Sequence, residues 1–384
     1  DWIDRRFMAK YSDLPEMSTS GDTDLPRGLA DEEATKAISA LAMRCGGCGA
    51  KVGSTLLSRA LGQLEPIARE DVLVGLHAPD DAAVVEVPPG KVMVHTVDFF
   101  RAIVDDPYLS GKIAANHSLG DIFAMGAEPQ TALALVTLPY GLESKLEDTL
   151  NQLLTGALEV LDAAGTALVG GHTGEGAELA LGFAVNGLVE RDRVLSKGGM
   201  QPGDRIILTK PVGTGTLFAA DMRHKAKGPW IQAALGSMLL SNQEAARCLH
   251  RYRANACTDV TGFGLLGHLV EMVKPAGVDV ILDLAAIPLL EGALDTVAMG
   301  ITSSLQPQNI RLRRAIRDPA TAADDPRYPL LFDPQTAGGL LASVPPDAAE
   351  GCIAELRQIG YPNATIIGDV RPQSGHLEPI SIKC

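Results

Sequence analysis

The residues best equipped for chemistry lie in the strip Cys45-Gly-Gly-Cys-Gly-Ala-Lys51, which runs into Val52-Gly53 and sets the Cys48 thiol three residues ahead of the Lys51 ammonium. A thiol attacks only as thiolate, and a neighbouring cation lowers its pKa. A lysine is also a compact charge suited to a phosphate oxygen, and glycines let such a strip close over a ligand at no steric cost. The strip 45–53 therefore reads as a mobile flap carrying a nucleophile and an anion clamp. Cys45 and Cys48 also spell CxxC, the pattern of a zinc half-site or a redox pair. A structural zinc site needs four ligands, yet Cys248, Cys257, Cys352 and Cys384 are isolated. No βαβ pattern precedes the strip, as a thioredoxin-like pair would require.

Aspartates form the second constellation. Asp80-Asp81 precede an apolar strand, Asp98 follows Val92–Val97, Asp121 lies within a helical stretch, Asp259 follows Cys257-Thr258, and Asp105-Asp106 form a loop pair. Carboxylates gathered from separate segments are how Mg²⁺ is held beside phosphates, one or two per ion. Singly, each could equally cap a turn or a helix. With Lys51 and Gly170-Gly171, the set reads as a metal–nucleotide site. Gly262, Gly264 and Gly267 spell GxGxxG between a strand and a helix, with Asp283 placed 21 residues beyond Gly262, where a dinucleotide site wants an acid. Against that reading, the charge of Asp259 just ahead of the first glycine disfavours a bare pyrophosphate. His268 reads as a helix-surface residue.

Elements that would position these groups alternate along the chain. Leu56, Leu57, Ala60, Leu61 and Leu64 have helical spacing; Ala82–Val87 and Lys91–Val97 read as strands split by Pro88-Pro-Gly90. Ile113–Met125 reads as a helix ended by Gly126 and Pro129, Leu133–Leu138 as a strand, and Leu146–Ala164 as a helix closed by Gly165. Thr166–Val169 enters Gly170-Gly-His172 as strand into turn, and Leu179–Val189 is a further strand. Lys197–Asp204, dense in turn formers, marks a boundary. Beyond it Arg205–Thr209 reads as a strand, Leu235–Arg251 as one helix, and Leu265–Val273 as another. The domains expected are a linker at 1–38, an N-terminal domain at 39–196 and a C-terminal domain at 197–384. The fold class is α/β plus α+β.

Composition bounds the function. The 384 residues are 46% apolar, enough for two cores. A net charge of −14 with aromatics at 4% gives no footprint for nucleic acid, and an acidic protein that handles an anionic nucleotide needs divalent cations as the bridge. Six scattered cysteines do not form a disulfide framework and point to a reducing cytoplasm. Neither a signal peptide nor an apolar run of about 18 residues is present, so no membrane partner is expected.

Several stretches resemble one family closely: the selenophosphate synthetases (selenide, water dikinases) of the aminoimidazole-ribonucleotide-synthetase-like ATP-binding superfamily. They are Gly47-Cys-Gly-Ala-Lys51, Asp80-Asp-Ala-Ala83, Thr96-Val-Asp-Phe-Phe100, Ile103-Val-Asp-Asp-Pro107, Asp121-Ile-Phe-Ala-Met-Gly126, Gly170-Gly-His172, Thr258–His268 and Asp333-Pro-Gln-Thr-Ala-Gly-Gly339. The resemblance implies catalytic Cys48 and Lys51. It implies magnesium on Asp81, Asp121 and Asp259, and ATP contacts at Lys51, Asp80, Asp98, Asp121, Gly171, His172 and Thr173. Some relatives carry a second cysteine where this chain has Ala50, so Ala50 cannot act as a redox partner for Cys48. The implied reaction converts ATP, selenide and water into selenophosphate, AMP and phosphate. The implied assembly is a homodimer with N-terminal sheets paired and ATP at the interface, in line with apolar residues on both faces of Val92–Val97 and Leu133–Leu138. A selenium-delivery protein is a further implied partner. Because some bacterial members are fused behind an NADH-dehydrogenase-like flavoprotein, residues 1–38 resemble a linker from such a fusion. The rival readings are a sibling kinase or ligase that releases ADP, and a non-catalytic selenium or sulfur carrier.

Overall fold

The computed structural model of the protein describes residues 54–76 and 82–383. In chain order the first half holds α1 (Ser54–Leu61), β1 (Val72–Val74), β2 (Val84–Val85), β3 (Lys91–Arg101), α2 (Pro107–Ala124), β4 (Glu128–Pro139), α3 (Glu143–Ala163), β5 (Ala167–Gly176) and β6 (Ala180–Glu190). The second half holds β7 (Arg205–Leu208), α4 (Thr214–Asp221), α5 (Gly228–Leu239), α6 (Gln243–Arg251), β8 (Ala256–Asp259), α7 (Gly264–Ala276), β9 (Val278–Asp283) and α8 (Ala293–Ala298). It continues through α9 (Gln306–Asn309), β10 (Ile316–Arg317), β11 (Leu340–Val344), α10 (Pro346–Gln358), β12 (Thr365–Pro372) and β13 (Ile380–Lys383).

Strands β3, β6, β4 and β5 form one sheet in that order, antiparallel except for the parallel β4–β5 pair. The second sheet runs β10-β13-β9-β12-β7-β11-β8 and is mixed. Helix α2 starts six residues before its predicted Ile113, because Asp106 accepts the Leu109 N–H at 2.9 Å and Pro107 opens the first turn. Asp106 is thus a cap, the plain alternative for a loop aspartate. α2 packs on β3 and β6 and also touches β8 of the other sheet, so it is buried on most of its faces. Its neighbour α3 crosses it closely at two glycines. A Cβ on Gly111 would fall 1.9 Å from the Leu153 carbonyl oxygen, and one on Gly156 would fall 2.0 Å from that of Tyr108.

Other elements also depart from the expected boundaries. The stretch Leu235–Arg251 is two helices, because the Leu240 carbonyl accepts the Lys210 Nζ at 2.5 Å and the Ser241 carbonyl accepts the Tyr361 hydroxyl at 2.7 Å. Donors from distant segments thereby redirect the backbone between the helices. β5 does not turn at Gly170-Gly171 but runs on to Gly176; a Cβ on Gly171 would meet the Ala134 carbonyl oxygen at 2.2 Å, so the glycine allows close strand pairing. Of the apolar run Ala82–Val87, only Val84–Val85 pairs.

One apolar cluster joins Leu119 and Phe123 of α2, Leu150 and Leu153 of α3 and Phe183 of β6 to Leu249 of α6 and Leu340 of β11. The outer face of the four-stranded sheet keeps large apolar groups in solvent: Val97 is 59% exposed, Phe99 50% and Leu133 40%. No helix among the described residues is long and apolar enough to cross a membrane.

Candidate active site

Three of the sequence-predicted carboxylates converge between the sheets. Asp98 comes from the inner face of β3, Asp121 from α2, and Asp259 from the end of β8. Asp259 is buried and lies against the α-carbon of Gly120. Burial, and then the charges of Asp121 and Asp98, hold its carboxyl well above the usual carboxylate range. Asp98 is pushed up to about 6 by burial first and Asp121 second. Asp121 is fixed by Thr96, whose hydroxyl donates to Oδ2 at 2.5 Å.

His117, one turn before Asp121 on α2, was not singled out by sequence. Its Nδ1 accepts the Ala337 N–H at 2.9 Å, so the ring proton sits on Nε2, which faces Asp98 Oδ1 at 3.7 Å. Phe100 packs edge-on against the ring. Burial pushes the imidazole down to about 4, keeping it neutral near pH 7. Lys210 was missed as well. It is fully buried, and burial lowers its ammonium to about 7 against the opposing pull of Asp259. Spacing gave a faint signal for His117, four residues from Asp121 on a helix, and none for Lys210.

The Asp333–Gly339 stretch closes this side. Asp333 Oδ2 accepts from the Gly215 N–H and from Gln335 Nε2, while Oδ1 is buried without a partner; burial pushes the carboxyl up to about 7. Gln335 Oε1 in turn accepts the N–H groups of Gly213 and Thr214.

The predicted nucleotide residues of β5 stand elsewhere. Asp98, Phe183, Ala134 and Gly171 form one cross-strand row, which puts Gly171 roughly 14 Å from Asp98 at about 4.8 Å per strand. His172 is exposed on the opposite, outer face, where it lines a groove of about 700 Å³ with Gly171, Leu133, Asn186 and Ala82-Ala83. Thr173 lines a small adjoining pocket. Cys45, Cys48, Lys51, Asp80 and Asp81 lie outside the described residues.

Two of the GxGxxG glycines have a packing role. Gly264, at φ 70°, abuts the carbonyls of Leu331, Phe332 and Asp333, and a Cβ on Gly267 would strike Phe263. Asp283 caps the turn at Ala285–Ala286 and pairs with Lys383 at 2.8 Å, so it is no ribose acceptor. His268, expected on the surface, is buried because its Nε2 accepts the Thr261 N–H at 3.1 Å.

An all-oxygen donor set, in which neighbouring carboxylates help to raise Asp98 and Asp259, fits a hard divalent cation. Among the described residues, however, no three such side chains stand close enough to hold an ion by themselves.

The profile of the AIR synthase related protein, N-terminal domain, matches residues 79–189, and that of the C-terminal domain matches residues 201–377. The chain is 40% identical over 326 residues to a selenide, water dikinase of Pelobacter propionicus, covering 84% of this chain and 92% of that protein. It is 36% identical to a selenide, water dikinase of Clostridioides difficile, covering 85% and 94%. Among solved structures, the thiamine-monophosphate kinase of Stenotrophomonas maltophilia superposes with a TM-score of 0.63 at 20% identity, over 86% of this chain and 94% of that one. The hydrogenase maturation protein HypE in complex with ATP superposes at 0.59 and 19% identity, over 76% and 80%. At such identities the likeness is one of fold, which is the two-domain α/β plus α+β fold of AIR synthase. The chain belongs to the AIR synthase related proteins and, within them, to the selenide, water dikinase family.

Proposed function

We propose that the protein makes selenophosphate from ATP, selenide and water, releasing AMP and phosphate. The observation that carries the reading is the meeting of Asp98, Asp121 and Asp259 in one cleft of a chain 40% identical to a selenide, water dikinase. Asp121 and Asp259, joined by Asp81, would hold Mg²⁺, which when bound supplies charge neutralisation at the phosphate oxygens. Asp80, Asp98 and the Gly171–Thr173 strip of β5 are proposed to contact the nucleotide, the strip, whose His172 lies on the outer face opposite Asp98, doing so across the interface of a homodimer. Lys51 meets the phosphates, and Cys48 holds selenium or assists its attack. Closing the 45–53 flap keeps water from the γ-phosphoryl group while selenide accepts it, and the ADP left behind is then hydrolysed by water to AMP and phosphate. Catalysis is then mainly positioning and electrostatics.

Two halves, divided near residue 197, would serve as the nucleotide-binding and the covering domain. The apolar outer face of Val97, Phe99 and Leu133 supports a homodimer paired through the N-terminal sheet. The buried free thiols of Cys248, Cys257 and Cys352 accord with a cytoplasmic setting. The deciding experiment is phosphorus NMR of ATP with selenide and Mg²⁺, with Asp121→Asn as control. A selenophosphate resonance with AMP is expected; ADP as the sole nucleotide product overturns the reading.

A further inference from the structure

Lys210 has no part in the chemistry above, yet the structure surrounds it with care. It is 2% exposed and is the only lysine or arginine in the buried set of the described residues. No carboxylate among them lies within ion-pair distance. Its Nζ donates instead to the carbonyls of Leu240 at 2.5 Å and Ala337 at 3.2 Å. An ammonium taken from water carries a penalty of several kcal/mol, so this placement needs a return beyond filling space.

Both acceptors belong to irregular backbone. Leu240 ends α5. Ala337 sits at φ 48°, a left-handed conformation that costs an L-residue about 1–2 kcal/mol and persists where the surroundings over-determine it. Both backbone polar groups of Ala337 are taken by side chains: its N–H by His117 Nδ1 and its carbonyl by the buried Lys210. The next two residues bind the other side of the cleft. A Cβ on Gly338 would fall 2.0 Å from the Val260 carbonyl oxygen, and the Gly339 carbonyl accepts the Val260 N–H at 2.8 Å. Gly339 also lies against the backbone of Lys210, where a Cβ would stand 2.5 Å from its nitrogen. One strip of three residues thus touches the imidazole that faces Asp98 and the residue that follows Asp259.

We propose that Lys210 is a positioning residue for the carboxylate cleft. It clamps the Ala337–Gly339 strip, so that His117 is presented to Asp98 in one tautomer and the end of β8 keeps Asp259 against α2. This rests on reading the cleft as the phosphoryl-transfer site.

The test is Lys210→Met, which keeps the stem and removes the ammonium, in the full chain labelled with ¹⁵N-histidine. The His117 ring signals are assigned with His117→Gln. Wild type should show His117 in a single Nε2–H tautomer, and Lys210→Met should show mixed tautomers. The variant's kcat for AMP release should fall about ten- to a hundredfold, as small misplacements do, with KM for ATP little changed. The double variant should lose no more than the worse single one, since both act through one link. An unaltered tautomer with wild-type kcat, or losses that multiply, overturns the proposal. If Lys210→Met does not fold, Lys210→Gln is read in the same way. Failure of both to fold marks Lys210 as a stability residue and also overturns it. The tautomer readout is independent of turnover: mixed tautomers in a protein that makes no selenophosphate would sink the functional reading and leave this link standing.

Discussion

The Asp259 carboxylate rests on the bare α-carbon of Gly120: a methyl group there would stand 2.7 Å from Oδ2. Because Gly120 immediately precedes Asp121, its missing side chain is what lets α2 and β8 bring two carboxylates side by side. Gly120→Ala gains about 1 kcal/mol of helix propensity but displaces Asp259. We expect Tm to change little while Mg²⁺-dependent AMP release drops on the order of a hundredfold. Full turnover would mean that Asp259 adjusts freely and is not fixed by α2.

Asp98 links the cleft to pH. Its carboxyl rises from 3.8 to about 6 in the folded chain, so the folded state binds this proton more tightly than the unfolded state does. The site's stabilising contribution is therefore complete below about pH 4 and is lost as pH rises through 6. Asp98→Asn, measured without metal, should raise Tm by roughly 2–4 °C at pH 7.5, for about 1 kcal/mol after allowance for partial exposure. The gain should shrink at pH 5. An equal gain at both values would show that the carboxyl is not shifted.

The flap variants separate two chemical groups. Cys48→Ser replaces a readily ionised thiol by a hydroxyl that stays protonated, so selenophosphate formation should fail while ATP binding survives. Lys51→Ala should weaken phosphate handling itself, and Lys51→Arg should rescue poorly. Cys45→Ser should be mild. A dead Cys45→Ser beside an active Cys48→Ser would move the nucleophile to Cys45.

The exposed face of β3 offers a test of assembly. Phe99 is 50% exposed on the same face as Val97 and Leu133, and a charge there should oppose pairing of two sheets. Light scattering at micromolar concentration should give a dimer for wild type and a monomer for Phe99→Asp. A monomeric wild type contradicts the homodimer.

The acids of the cleft were legible because Asp98 and Asp259 end apolar runs and Asp121 lies inside a helical period. What holds them was not. Gly120 reads as a weak point in a helix until β8 is seen against it. The Ala337 N–H reaches His117 across 220 residues of chain, a pairing that no local pattern encodes. The periodicity of Leu235–Arg251 runs unbroken, and the break comes from Lys210 and Tyr361, which lie far away in sequence. Gly170-Gly171 carries the composition of a turn, yet β4 approaches too closely for a side chain at Gly171. His268 looked like a surface residue, since nothing local reveals that the Thr261 N–H needs an acceptor.

The crossing of α2 and α3 at Gly111 and Gly156 has a mechanical meaning. At that crossing the two backbones meet directly, and a side chain at either glycine would collide with the other helix's carbonyl. The helix that carries Asp121 is therefore the anvil of the cleft. A substitution as small as alanine at either glycine would shift the helix that presents Asp121, and with it the reference against which Asp98 and Asp259 align.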